Sequence, residues 1–167
     1  MLEIGVQTGE SIRMWHEYFP AAKIIGVDIA AVDPLADLAR YTFKRGSQED
    51  FVFLTGLAQT HDFHVVIDDG SHLWGHQIFS FQTILPWLRP GSIYICEDIH
   101  TSFGPIFPEQ YSAGAPESAG SYFGRLAMDI SAGSERAPRT AQDPLYEGIL
   151  QRIRSVTFIR QSVIIEI

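Results

Sequence analysis

The sequence predicts an α/β fold: a doubly wound, mostly parallel sheet with a C-terminal antiparallel strand pair. Three features point there. Short β-branched runs alternate with amphipathic ones, the pattern of a parallel sheet covered by helices on both faces. Strand-like runs end abruptly in a glycine turn or in adjacent acids. The closing stretch SVTFIRQSVIIEI holds two β-rich segments around Arg160-Gln161, the signature of an antiparallel pair.

Taken in order, Leu2 to Val6 reads as the stub of a first strand. Ser11 to Phe19 places Ile12, Trp15 and Phe19 on one helical face, and Pro20 stops that helix. Lys23 to Ile29 is a buried-strand run, Pro34 to Ala39 a short helix, and Tyr41 to Lys44 a third strand. A weak helix follows from Asp50 to Gln59. His64 to Ile67 is β-branched and ends in the acidic turn Asp68-Asp69-Gly70. Ser71 is the expected cap of a helix from His72 to Leu88, with Ile78, Phe81 and Leu85 as its apolar stripe. Arg89-Pro90-Gly91 breaks the chain before a strand from Ser92 to Cys96 that ends at Glu97-Asp98. Residues 100–120 lack periodicity and read as a lid or acceptor loop. Tyr122 to Ile130 and Leu145 to Ile153 are the last expected helices. No internal repeat or second domain is evident, so residues 1–167 are expected to form one domain, short at its N-terminus.

Apolar residues make up 46% of the 167, enough for a packed core. The net charge is −8 and no run of Lys and Arg interrupts it, which argues against nucleic acid as a partner. Cys96 is the single cysteine, so no internal disulfide can form. The start lacks the basic and apolar regions of a signal peptide, and no apolar stretch approaches the ~20 residues of a membrane span. The expected location is cytoplasmic, without a membrane partner.

Three constellations carry chemistry. The first is Leu2-Glu3-Ile4-Gly5-Val6-Gln7-Thr8-Gly9, a strand running into a glycine-bearing turn where backbone N–H groups can approach a ligand. Gln7 stands where dinucleotide binders carry the middle glycine of G-x-G-x-x-G, which favours a ligand lacking phosphates. The second is Gly26-Val27-Asp28-Ile29, whose acid can accept hydrogen bonds from both hydroxyls of a ribose. Alone, the first could be an ordinary tight turn and Asp28 a helix cap; together they favour a nucleoside-containing cofactor.

The third pairs Asp68-Asp69-Gly70-Ser71-His72 with Glu97-Asp98-Ile99-His100. Two strands ending in adjacent acids would set four carboxylates at one rim, where a hard cation such as Mg²⁺, Mn²⁺ or Ca²⁺ would offset their repulsion. The alternative is that these acids cap the elements that follow. His72, at the expected helix start, is the candidate base, kept neutral by the positive helix end. His76 lies four residues on, but no Glu completes a zinc motif, and it reads as packed or surface-exposed, like His16, His61 and His64. Trp74, Phe79, Phe81 and Trp87 read as core. Phe103, Phe107, Tyr111, Tyr122 and Phe123 could line an acceptor pocket or pin their own loop.

These residues resemble the class I S-adenosylmethionine-dependent methyltransferases, whose fold is Rossmann-like. LEIGVQTGESIRMW is similar to their first motif and GVDI to the ribose-binding second. More narrowly, VIDDGSH followed by YICEDIHTS resembles the metal-dependent macrolide sugar O-methyltransferases, of the demethylmacrocin and mycinamicin type, with relatives in the rhamnosyl O-methyltransferase and cephalosporin hydroxylase group. The resemblance implies Asp69, Glu97 and Asp98 as ligands of Mg²⁺ (or Mn²⁺), and His72 as general base. It implies Glu3, Gly5, Gly9 and Asp28 around the methionine and ribose of S-adenosylmethionine, with Ser47 and Gln48 near adenine. Gln7 and Asp68, in the same turns, complete the expected cofactor-binding set. The implied activity is O-methylation of a sugar hydroxyl on a glycosylated natural product or glycan, with homo-oligomer formation left open. A catechol-type O-methyltransferase and a non-catalytic cofactor-binding module are the alternatives; Gln7 argues against a nicotinamide oxidoreductase.

Overall fold

A computed structural model describes residues 1–30, 35–104, 108–112, 114–133 and 143–167. Seven strands form one sheet in the order β3-β2-β1-β4-β5-β7-β6. They are β1 (Leu2–Ile4), β2 (Ile24–Asp28), β3 (Tyr41–Arg45), β4 (Val65–Asp68), β5 (Ile93–Cys96), β6 (Ser155–Ile159) and β7 (Ser162–Glu166). The first five pair in parallel. The chain then returns: β7 runs antiparallel to β5, and β6 pairs antiparallel with β7 through the turn at Arg160-Gln161. Because β1 lies between β2 and β4, strand order reverses beside it. In doubly wound sheets that reversal opens a crevice at the carboxyl ends of the strands.

The helices are α1 (Glu10–Tyr18), α2 (Phe51–Thr60), α3 (Trp74–Ile84), α4 (Pro108–Tyr111), α5 (Ala119–Ala132) and α6 (Pro144–Leu150). Asp50 caps α2 by accepting from the Phe53 N–H, Ser118 caps α5 through the Ser121 N–H, and Asp143 caps α6 through the Leu145 N–H. No helix among the described residues is long and apolar enough to cross a membrane.

Several expectations change in detail. The connector between β2 and β3 is a turn at 35–37 rather than a helix, and Pro34 lies outside the described residues. Helix α3 starts at Trp74, not His72, because His72 adopts a left-handed backbone (φ 57°) that a right-handed helix cannot continue. Ser71 therefore does not cap α3, and the helix-end argument for His72 falls with it. The described residues of 100–120 are partly helical: a 3₁₀ turn spans Ile99–Ser102, α4 follows, and α5 already begins at Ala119.

The aromatic residues divide. Phe81, Tyr94, Tyr122 and Phe123 form an edge-to-face cluster in the core, with Phe81 at 5.1 Å from Tyr94 and 5.3 Å from Phe123 between centroids. Tyr111 packs against the same core, Trp87 and Phe103 are exposed, and Phe107 lies outside the described residues. Tyr122 and Phe123 are thus buried in the core, and Tyr111 packs against it.

Candidate active site

The turns after β1, β2 and β4 are stitched together by their backbones. Gly5 donates to Val27 O at 2.8 Å, and Asp69 donates to Ile4 O at 2.9 Å. Gly5 has φ +93°, and a Cβ there would stand 2.1 Å from the Asp69 carbonyl oxygen. Only glycine lets β1 turn this closely past β4.

Asp28 reaches back 22 residues to the same turn. Its Oδ2 accepts from the Val6 and Gln7 N–H groups, each at 2.9 Å, and its Oδ1 accepts from Ala30 N at 2.8 Å. Burial pushes this carboxyl up, but the N–H groups of Gln7, Ala30 and Val6 outweigh it and hold the group below its ordinary value. The Ile29 N–H adds to the same effect, so backbone donors already engage both oxygens of Asp28.

The acids gather at the next two strand ends. One donor atom each from Asp69, His72 and Asp98 lies within 4.8 Å of the others. His72 Nε2 is 3.7 Å from Asp98 Oδ2, and His100 Nδ1 is 3.4 Å from Asp98 Oδ1. Burial, then repulsion from Asp98 and Asp68, pushes Asp69 up to about 6. Glu97 is raised by burial and by Asp69 and Asp98, partly opposed by His72. Two oxygen donors and an imidazole held together against their own repulsion suit a hard divalent cation, whose charge would reverse that cost. The His72 Nδ1 is buried without a hydrogen-bond partner. Gln7, His72 and Asp98 all hold left-handed backbones (φ 48°, 57° and 54°), each costing on the order of 1–3 kcal/mol. Strain is thus concentrated where the two halves of the site meet.

A cavity of about 930 Å³ joins these halves, large enough for a nucleoside-sized ligand. Gly5, Gln7, Asp28, Ser47, Gln48, Asp69, His72 and Asp98 line it. The other expected site residues sit behind its wall or at its margin. Asp68 is fully buried, and its carboxylate accepts from Ser80 and from Tyr94 OH at 3.1 Å. Three of the four rim acids expected from the sequence remain near the cavity; Asp68 is an interior anchor. Glu97 is close enough to Asp69 and Asp98 for their charges to raise it, yet stays outside the three-residue cluster. Glu3 is 1% exposed. Its Oε1 accepts from the Ser11 hydroxyl, and its Oε2 has no partner. Burial drives Glu3 up to about 7. Gly9 precedes α1 in a left-handed conformation, outside the cavity lining.

Glu49, Ser71 and His76 also line the cavity. His76 Nε2 pairs with Glu49 Oε2 at 2.8 Å, and its Nδ1 meets Ser71 Oγ at 2.9 Å. Reading His76 as a surface or packed residue missed this. Its spacing of five from Ser71 carried the signal only once Ser71 was known to precede α3 rather than cap it.

No family model matches the chain. It is 38% identical over 140 residues to the mycinamicin VI 2″-O-methyltransferase of Micromonospora griseorubida, covering 79% of this chain and 34% of that protein. Over 113 residues it is 40% identical to the 8-demethyl-8-(2-methoxy-alpha-L-rhamnosyl)-tetracenomycin-C 3′-O-methyltransferase of Streptomyces olivaceus, covering 63% and 29%. The solved structure of MycE methyltransferase from the mycinamycin pathway, in complex with Mg and SAH, matches with a TM-score of 0.81 at 30% identity, covering 99% of this chain and 43% of that one. This chain is a homologue of these sugar O-methyltransferases. It has their Rossmann-like fold, parallel in its first five strands and antiparallel in its last two. The chain spans about a third of the length of the curated relatives it matches.

Proposed function

We propose that this chain is the S-adenosylmethionine-binding domain, over residues 1–167, of a divalent-metal-dependent O-methyltransferase acting on a sugar hydroxyl of a glycosylated natural product or glycan. The observation that carries this reading is the shared cavity. A nucleoside cradle at Asp28 and an acid–imidazole cluster at Asp69, His72 and Asp98 open into one space of about 930 Å³. The MycE structures hold Mg and SAH, and one also holds mycinamycin VI, which supports the same ligand classes here.

In this reading Asp28 accepts from the ribose hydroxyls, while the turn from Gly5 to Gln7 bounds the methionine side. Ser47 walls the adenine side. S-adenosylmethionine is consumed as substrate and supplies a methyl group on a sulfonium leaving group. Asp69 and Asp98, with Glu97 beside them, would hold Mg²⁺ or Mn²⁺, which when bound would acidify a coordinated hydroxyl. The acceptor hydroxyl gives its proton to His72 Nε2, and Asp98, 3.7 Å away, stabilises the imidazolium. We assign the acceptor side to the described part of residues 100–120, which begins two residues after Asp98. A net charge of −8 makes a nucleic-acid acceptor unfavourable.

The test is incubation of the chain with methyl-labelled S-adenosylmethionine, Mg²⁺ and a panel of glycosides and catechols. The expected result is a one-methyl mass gain on glycosides alone, lost with excess chelator and in His72→Ala. Chelator-resistant turnover or preference for catechols would overturn the reading.

A further inference from the structure

The geometry points to Gln48 as a positioning residue: from the loop after β3, it fixes the turn that carries Asp69 and His72 by holding Ser71. The inference rests on the functional reading above and assigns Gln48 a task other than contact with adenine. Gln48 lines the cavity but is only 6% exposed, and both ends of its amide are taken up by protein groups. Its Oε1 accepts from the Ser71 N–H at 2.7 Å, and its Nε2 donates to Asp68 at 3.1 and 3.3 Å. The fit is close: a Cβ on Gly70 would stand 2.1 Å from Gln48 Oε1. Gly70 is therefore the gap through which the amide reaches the turn.

The anchor behind it is stiff. Asp68 also accepts from Ser80 on α3 and Tyr94 on β5, so Gln48 ties the turn to three elements at once. Its neighbour Glu49 takes a second route to the same residue, through His76 on α3 to the Ser71 hydroxyl. Ser71 is thus gripped at its N–H by Gln48 and at its Oγ by His76. Immediately after it, the left-handed His72 is held at its carbonyl by Thr101 Oγ1 at 3.4 Å. A residue in that backbone conformation persists only where its surroundings impose it. Gln48 acts directly and Glu49 through His76, both from the loop whose Ser47 walls the cavity, which joins the cofactor side to the acid cluster mechanically.

The test compares wild type with Gln48→Met, which keeps length and removes both polar contacts. Binding of Mn²⁺ alone and of S-adenosylhomocysteine alone is measured by calorimetry, and the imidazole resonances are followed by NMR in metal-free protein. The expected result is at least a tenfold loss of Mn²⁺ affinity, S-adenosylhomocysteine affinity within threefold, and displaced His72 resonances with those of His61 unchanged. In turnover, kcat falls while KM for S-adenosylmethionine holds. A loss of S-adenosylhomocysteine affinity with Mn²⁺ affinity intact would make Gln48 a ligand contact and overturn the proposal, as would unmoved His72 resonances. If Gln48→Met does not fold, Glu49→Gln loosens the second grip at a half-exposed pair; a two- to fivefold loss of Mn²⁺ affinity is expected, and no loss refutes it. A wild type that binds Mn²⁺ but transfers no methyl defeats the functional reading alone, because the Mn²⁺ and NMR comparisons still decide the role of Gln48.

Discussion

Replacing Glu3 with Gln isolates the electrostatics of a carboxyl buried beside the cofactor turn. Glu3 is 1% exposed, and one of its oxygens has no partner. Burial first, then repulsion from Asp69 and Glu97, raises it from 4.5 to about 7 against the opposing Ser11 hydrogen bond. Because the folded-state value lies above the unfolded one, its contribution to stability is fully present below about pH 4.5. It is lost as pH rises through about 7. At ~1.4 kcal/mol per tenfold change in proton affinity, the whole loss is about 3 kcal/mol. Between pH 5 and 8.5 about 2.5 kcal/mol of that should appear, roughly 5–10 °C in Tm for a chain of this size. Gln cannot ionise, so the stability of Glu3→Gln relative to wild type should rise by that amount across the interval. Urea unfolding at both pH values measures it. Equal slopes in the two proteins, or a variant that loses ground at pH 8.5, would refute the reasoning.

Asp28→Ala should lower stability by about 1–3 kcal/mol, since the buried Val6 N–H loses its acceptor, and should weaken S-adenosylhomocysteine binding at least tenfold by calorimetry. The Asp28 carboxylate lies below its ordinary value, so the stability it supplies is present above about pH 4 and is lost on acidification through its folded-state value; acid titration of wild type against Asp28→Ala checks the sign. Asp69→Asn should cut Mn²⁺ affinity at least tenfold, yet stabilise the metal-free protein at pH 8 by roughly 1 kcal/mol after allowance for solvent screening. Thermal melts with and without chelator read both effects. Gly5→Ala, facing a backbone oxygen at 2.1 Å from a positive φ, should cost about 2 kcal/mol or more and weaken Mn²⁺ and S-adenosylhomocysteine together, because it separates the two turns.

The sheet was legible because each strand is a short β-branched run with a sharp end, and the antiparallel pair announced itself at Arg160-Gln161. The acids were legible as residues but not as a geometry. Asp68 and Asp69 are neighbours in sequence, yet Asp68 is the last, buried residue of β4 and Asp69 lies in the turn beyond it, at the rim. Helix α3 began two residues late because a left-handed His72 leaves no composition signal, and that same shift hid the pairing of Ser71 with His76. Gln48 could be placed beside the cavity, but only tertiary structure showed its amide facing Asp68 and Ser71. The aromatics at 122 and 123 were ambiguous by position; the helix starting at Ala119 turns both into the core.

The most direct measurement is diffraction from crystals grown with Mn²⁺ and S-adenosylhomocysteine, with data at the manganese edge. The account predicts one anomalous peak coordinated by Asp69 and Asp98 and an adenosyl ribose bonded to Asp28 in the same cavity. Manganese bound away from those carboxylates, or an adenosyl group outside that cavity, would contradict it.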